Sequence, residues 1–255
     1  MSQNKVIQDG EGRGYQMKVR ENGSIDVNNL DKYHEPIDAY LYKKTATPVI
    51  TSNVTMGDII VNVNSTTGVI VGEAITFYEG KRMYQSLVKA TTTNTITLSS
   101  AIDFAYTTNA LVETGPWNMA VDGTTPQIFS IKAPPNATVD IHTINCSMLN
   151  TTAMDDGTFG GINQLTNGII LKFIDGFTKN LALIVNNLGF WEIGFSTEYS
   201  TKAPAGKYGF KARRHIPIVN GSVLRVKENS EFQIEIQDDL TGLDFMAMTI
   251  DGHVV

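Results

Sequence analysis

Short runs in which apolar and polar residues alternate recur along most of the chain, separated by Gly, Asn, Thr and Asp. Alternation with period two marks strands that bury one face. Asp38–Lys43 (DAYLYK) is the first clear run. After Pro48 come Asp58–Val63 (DIIVNV), Ala74–Tyr78 (AITFY), Arg82–Ala90 (RMYQSLVKA), Thr95–Leu98 (TITL) and Ala110–Glu113 (ALVE). Asn64–Gly68, Glu79-Gly80 and Thr93-Asn94 supply the turns between them. This spacing predicts an antiparallel meander or small barrel. Gly57, Gly68, Gly72 and Gly80 mark the tight points, where glycine tolerates positive φ.

Thr114-Gly115-Pro116 breaks the series and reads as a domain boundary. Beyond it, strands are expected at Gln127–Ala133, Thr138–Cys146, Gly168–Ile174, Leu181–Val185, Phe190–Phe195, Val223–Lys227, Glu231–Ile236 and Asp244–Ile250. Their uneven loops fit a jelly-roll sandwich better than a meander. Phe232, Ile234 and Ile236, like Met246, Met248 and Ile250, alternate cleanly and should face the core. No helical period is sustained, and Ile162–Thr166 is the best place for one short turn. The first thirty-odd residues are polar and Gly-rich, with short alternations at Tyr15–Val19 and Ser24–Val27. The expected fold is therefore all-β. It comprises an extended N-terminal arm (1–36), a small antiparallel β-domain (37–115) and a jelly-roll-like β-sandwich (116–255).

Composition narrows the chemistry. The 255 residues are 42% hydrophobic but only 18% charged, with Asn, Thr, Ser and Gly filling the gap. A globular chain usually carries roughly 25% charged residues. The low share suits polar, uncharged sheet faces and surfaces buried between subunits. A net charge of −6 argues against broad nucleic-acid binding. Cys146 is the sole cysteine, which excludes an internal disulfide and a cysteine-based zinc site. Its strand-like setting, HTINCSML, suggests a buried small apolar residue rather than a reactive thiol. The N-terminus lacks the apolar stretch of a signal peptide, and no apolar run reaches membrane-spanning length.

Two segments attract attention as sites. Met154–Leu171 (MDDGTFGGINQLTNGIIL) is a Gly/Asn/Thr/Asp loop running into an apolar strand, and Ile234–Phe245 (IEIQDDLTGLDF) is strand, acidic turn, strand. They contain the paired carboxylates Asp155-Asp156 and Asp238-Asp239. A glycosidase would need such groups roughly 5 to 9 Å apart across an apolar cleft. Adjacent Asp side chains on a turn point apart and more commonly fix the turn itself. Calcium would find hard oxygen ligands there, but the D-x-D-x-D-G spacing is absent. The four histidines, His34, His142, His215 and His253, form no metal motif. His142 and Asp140 alternate on one strand, which reads as a solvated or interface face. The sequence has no G-x-S-x-G, and Gly10–Gly14 lacks the G-K-[ST] ending of a phosphate loop. Hence no catalytic residue, cofactor or metal is expected.

Surfaces remain. Lys207, Lys211, Arg213, Arg214 and His215 form the one basic cluster, interleaved with aromatics. On an acidic chain it suits an acidic patch of a neighbouring subunit, with a solvated face or a nucleic-acid or glycan contact as alternatives. Phe190, Trp191, Phe195 and Tyr199 are clustered aromatics, of which Trp191 is the candidate for stacking on a sugar. The expected subunit-contact residues are Asp155, Asp156, Phe159, Gly160, Gly161, Lys211, Arg213, Arg214, Asp238 and Asp239.

DDGTFGGINQLTNGIIL, NNLGFWE and IEIQDDLTGLDFMAMTIDGH, with the opening QDGEGRGYQMKVRENGSIDV, resemble β-rich structural proteins of tailed-bacteriophage virions. The middle segment GDIIVNVNSTTGVIVGEAITFYEG is similar to small β-domains of tail, neck and fibre-associated components. The resemblance implies a non-enzymatic virion subunit, assembled in the host cytoplasm and present in several copies. Such a subunit docks onto a neck, collar, tail or baseplate. Its partners would be copies of itself and other virion proteins, without nucleic acid or membrane. The alternatives are a receptor- or glycan-binding module using Trp191, a head-decoration protein, and a polysaccharide depolymerase relying on Asp155, Asp156, Asp238 and Asp239. The last would normally show long β-helical repeats, which are absent.

Overall fold

The computed structural model describes the backbone of residues 4–8, 14–19, 25–28, 35–154, 165–175, 177–185, 196–203, 206–215, 224–228 and 230–255. Side-chain surroundings are described for 36–154, 165–172, 174, 206–215, 224–228 and 230–255. The first nine strands are β1 (Asn4–Gln8), β2 (Gly14–Val19), β3 (Ile25–Asn28), β4 (Glu35–Tyr40), β5 (Ile60–Asn62), β6 (Ala74–Glu79), β7 (Arg82–Thr91), β8 (Thr95–Leu98) and β9 (Leu111–Gly115). The rest are β10 (Gln127–Lys132), β11 (Val139–Asn150), β12 (Ile169–Asp175), β13 (Phe177–Val185), β14 (Ser196–Ala203), β15 (Lys207–His215), β16 (Leu224–Val226), β17 (Ser230–Ile236) and β18 (Phe245–Val254). The fold is all-β, as the alternation predicts.

Two sheets form the sandwich, in the orders β10-β17-β12-β13 and β14-β15-β11-β18-β4. Outer strands of the sequence pair with one another and inner strands with one another: β4 with β18, β10 with β17, β11 with β15, β12 with β13. This nesting is the winding of a jelly roll, in which one long hairpin folds into two facing sheets. β14 is an added strand beyond β15, and the short β16 lies beside the start of β11. Phe232, Ile234, Ile236, Met246, Met248 and Ile250 are all buried in the resulting core, as their period-two pattern requires. Phe129 and Phe210 are completely covered there. Removing a ring of that size costs about 3–5 kcal/mol through lost transfer energy and the cavity left behind.

The domain plan differs from the linear one read from the sequence. β4, expected in the small domain, belongs to the sandwich: its Ile37 and Ala39, followed by Leu41, enter that core. Alternation identifies a strand but carries no information about its partner, which here lies over two hundred residues away at β18. The jelly roll is thus discontinuous, and residues after Tyr42 leave it to build an insertion between β4 and β10. The expected extended arm also contains regular structure, because β1, β2 and β3 pair as a three-stranded antiparallel sheet.

The insertion is a small barrel. Its strands run in the order β5-β8-β7-β6-β9. The preceding segment closes the ring: Ala46 and Val49 bridge Thr114 and Leu111, while Ile50 bridges Val63 next to β5. Closure removes the open edges that invite aggregation. A separate core fills it, built on Phe77, Tyr106, Ile75, Ile96 and Leu98. Gly57, Gly68, Gly72 and Gly80 all have positive φ, as their turn positions anticipate.

Both connections to the barrel run through one narrow neck. The Lys43 N–H donates to the Pro116 carbonyl (2.9 Å), and the Thr45 N–H donates to the Thr114 carbonyl (2.8 Å). The two chains approach so closely at Gly115 that a Cβ there would lie 1.7 Å from the Lys43 carbonyl oxygen. Trp117 then wedges the barrel against the sandwich. Its ring packs on Tyr40 and Phe245 (centroids 4.4 and 5.2 Å away), and its indole N–H donates to the Gly72 carbonyl at 2.8 Å. Gln85 of β7 adds a two-way bond to the Tyr40 backbone, accepting from its N–H and donating to its carbonyl. Gly115→Ala should therefore lower stability by about 1–3 kcal/mol, the usual cost of forcing extra volume into a packed site. A shift of the urea midpoint to lower concentration checks it.

Candidate functional site

Asp238 and Asp239 are chemical neighbours with separate tasks. The Asp238 carboxylate accepts the backbone N–H groups of Thr166 (2.9 Å), Asn167 (2.9 Å) and Gly168 (2.6 Å). These residues form the end of the Gly/Asn-rich loop, so the structure joins the two segments that the sequence sets apart. Asp239 instead closes its own turn, accepting from the Thr241 N–H and hydroxyl. Those two bonds hold its carboxyl below the usual carboxylate range. The turn is braced from below: the Leu240 N–H donates to the Val121 carbonyl at 2.7 Å. A Cβ on Gly123, whose φ is +62°, would strike the Asp238 carbonyl carbon at 2.2 Å. The two carboxylates thus serve different partners: Asp238 anchors the end of the loop through three backbone N–H groups, and Asp239 closes its own turn.

The basic cluster lies on β15. Phe210 and Ala212 are buried, whereas Lys211, Arg213, Arg214 and His215 are exposed. Arg213 reaches Asp251 of β18 across the sheet at 3.8 Å, and Asn145 of β11 donates to the same carboxylate at 3.0 Å. On the far side Asp38 of β4 faces Asp251, and its carboxyl is raised by partial burial and by the charge and hydrogen bond of that neighbour. Lys207 lies 3.5 Å from Asp244. The outer face of this sheet is therefore a mixed-charge surface rather than a uniformly basic one. Its exposed pairs are worth at most about 1 kcal/mol each.

A cleft at the neck holds a charged constellation that the sequence reading misses. Glu113 of β9 is buried, and its carboxylate accepts from Lys44 Nζ (2.8 Å), Lys132 Nζ (2.5 Å) and the Tyr42 hydroxyl (3.2 Å). The Tyr42 and Tyr78 hydroxyls lie 3.2 Å apart. Burial alone raises the Glu113 carboxyl, but the hydrogen bonds and charges of Lys132 and Lys44 outweigh it and hold the group below its ordinary value. Burial pushes both tyrosines well above theirs. The only hint in the sequence is the polar Glu113 within an otherwise strand-like ALVE; its partners come from two other segments, Tyr42–Lys44 and Lys132.

Asp140 is a second such case. Expected on a solvated face, it is buried and clasped by Arg225 of β16 through two bonds (2.6 and 2.7 Å). His253 stands 3.7 Å away, and a β-bulge between Ile141 and Thr143 brings His142 edge-on to His253. Arg225 lies 85 residues downstream, beyond the reach of a local pattern. Cys146 is buried, which pushes its thiol pKa far up and leaves it inert. Asp155, Asp156, Phe159, Gly160, Gly161 and Trp191 lie outside the described residues, as do the expected strand at Phe190–Phe195 and most of the Ile162–Thr166 turn. Among the described residues no group of three or more His, Cys, Asp and Glu is placed to hold a metal.

Comparison with known proteins adds little. No family model matches the chain, and no curated protein matches it. Among solved structures it is similar to "Structure of infectious bursal disease virus Gx strain", at 9% identity and a TM-score of 0.10, covering 99% of this chain and 77% of that one. "Crystal structure of infectious bursal disease virus VP2 subviral particle" gives 8% identity and a TM-score of 0.08 over the same shares. Likenesses this slight carry no argument about fold or function.

Two measurements test these assignments. Asp238→Ala should speed hydrogen exchange at the Thr166, Asn167 and Gly168 amides, each of which loses a charge-assisted bond of about 1.5–3 kcal/mol; Asp239→Ala should leave them unchanged. For Glu113, a folded-state pKa below the unfolded one gives stability that is complete above the ordinary value of 4.5 and is lost as pH falls through the folded value. Glu113→Gln should flatten that acid limb in urea titrations. At neutral pH it should cost about 3 kcal/mol, the lower end for breaking a buried ion pair whose lysines are partly hydrated.

Proposed function

We propose that the chain is a non-enzymatic structural subunit of a tailed-phage particle, which associates with its own copies and with other particle proteins at a neck, collar, tail or baseplate. One observation carries the reading. Six of the seven large apolar side chains exposed among the described residues sit on the inserted barrel: Val49, Met56, Ile59, Ile60, Ile70 and Val71. The barrel already has a closed strand ring and a filled core. These side chains lie outside that core, and contiguous exposed apolar surface marks contact sites. The jelly roll alone supports no particular activity, since the same architecture serves many.

The rim of the sandwich supports the same reading. Asp238 fixes Thr166, Asn167 and Gly168, at the end of the Gly/Asn-rich segment, to the acidic turn. An anchored loop presents a contact surface at a smaller entropy cost than a free one.

Light scattering on the purified chain should give discrete oligomers, or a defined complex when other particle proteins are added. The double variant Met56→Glu, Ile60→Glu should reduce that association. Its melting temperature should stay within the small range expected of exposed positions, about 0.5 kcal/mol in stability. A chain that stays monomeric at high concentration and binds no other particle protein would overturn the reading.

A further inference from the structure

The geometry points to a second, independent property: the cleft at the neck is a binding site for an acidic sugar, a saccharide unit that carries a carboxylate. The cleft encloses about 360 Å³, within the range of about 300–1,000 Å³ typical of small-molecule sites. The linker, β6, β9, β10 and β17 all contribute to its wall. The cleft lies where an inserted domain meets its host.

Its chemistry selects the ligand class. Lys43, Lys44 and Lys132 place three ammonium groups along the cleft, against the carboxylates of Glu113 and Glu231. The lining is thus locally positive on a chain whose net charge is −6. Glu113 is buried and engaged by Lys44, Lys132 and Tyr42, so it orients the lysines. Lys43 stands apart from that network, with Nζ 2.5 Å from the Gln127 side-chain oxygen. An ammonium has three donors, so each lysine keeps capacity for an incoming anion. Ile128 contributes an apolar wall and is 42% exposed, the one large exposed hydrophobe outside the barrel among the described residues. Glu231 and Ser130 add hydroxyl-binding groups on the same lining.

Inorganic phosphate fits this set poorly, because it has no apolar face to set against Ile128. A neutral sugar brings no negative charge to a lining with three lysines and two carboxylates. A sugar acid satisfies all of them: carboxylate to Lys43 and its neighbours, ring C–H face on Ile128, hydroxyls to Ser130 and Glu231. The proposal does not depend on the oligomeric state, so either can fail without the other.

Titration of the full chain with D-glucuronate, followed by amide chemical shifts, should show saturable binding with shifts at Lys43, Ser130 and Lys132. Glucose and inorganic phosphate should each bind at least tenfold more weakly. Lys43→Gln, which leaves the Glu113 network intact, should weaken glucuronate at least tenfold. Ile128→Ser, at a partly exposed position outside the sandwich core, should weaken it several-fold while the melting temperature shifts little. The proposal is overturned if glucuronate does not bind at millimolar concentration, if phosphate or glucose binds as well as glucuronate does, or if both variants retain wild-type affinity.

Discussion

The structure depends on one short stretch of chain, Leu41–Lys43, because three successive residues attach to three different bodies. The Leu41 N–H donates to Met248 on one sandwich sheet. Tyr42 bridges Ser130 on the facing sheet. Lys43 pairs with Pro116 at the neck of the barrel. A domain inserted within a jelly roll must leave and return within about one strand spacing, or the parent strands cannot keep their register. Gly115 meets that constraint here, since no side chain fits between its backbone and the Lys43 carbonyl. The Glu113 cluster then supplies what backbone pairing cannot. It ties the barrel strand β9 to Lys132 on the sandwich strand β10 and to Lys44 in the linker. Trp117 adds an aromatic contact between the two bodies, packing on Tyr40 and Phe245 of the sandwich while its indole N–H reaches Gly72 of the barrel.

Much of this fold is legible in the sequence, and the limit is physical. Period-two alternation depends on one residue and its near neighbours. It therefore locates β6, β7, β8 and β17 within a residue or two and names the inward face of β17. Pairing depends on partners anywhere in the chain. Asp38–Lys43 reads correctly as a strand and wrongly as part of the small domain, because nothing in DAYLYK specifies β18. β15 was visible only as a basic cluster, its alternation hidden by charges at exposed positions and by Arg214 at the strand end. The same limit governs the polar sites. Asp239 and Thr241 are two residues apart, and their turn follows from residue type. Asp140 with Arg225, and Glu113 with Lys44, Lys132 and Tyr42, are assembled by topology alone.

Charge is distributed by burial rather than by composition. Among the described residues, three of the four buried carboxylates meet opposite charge: Glu113 with two lysines, Asp140 with Arg225, Glu235 with Lys172. Buried pairs of this kind add little net stability over apolar replacements, yet breaking one is costly. Their effect is on uniqueness. A register slip in β11 or β17 would strand a carboxylate without its partner, so the pairs penalise alternative pairings in strands whose apolar faces are otherwise alike. The barrel surface follows the opposite rule, with apolar side chains left outside a completed core. Pairing specificity thus lies inside the junctions, and exposed apolar surface lies outside them.

The two adjacent aspartates at 238 and 239 show how far residue type underdetermines role. Both are acidic, both sit on one turn, and each accepts from backbone N–H groups. Asp239 satisfies its own turn and affects nothing beyond Thr241. Asp238 faces Thr166, Asn167 and Gly168 and so holds together two segments seventy residues apart. The difference comes from the peptide between them, which is pressed against Gly123 so closely that its orientation has little freedom. A side chain at position 123 would displace that peptide, so Gly123, a residue with no functional group, is needed where the acidic turn packs against its neighbour.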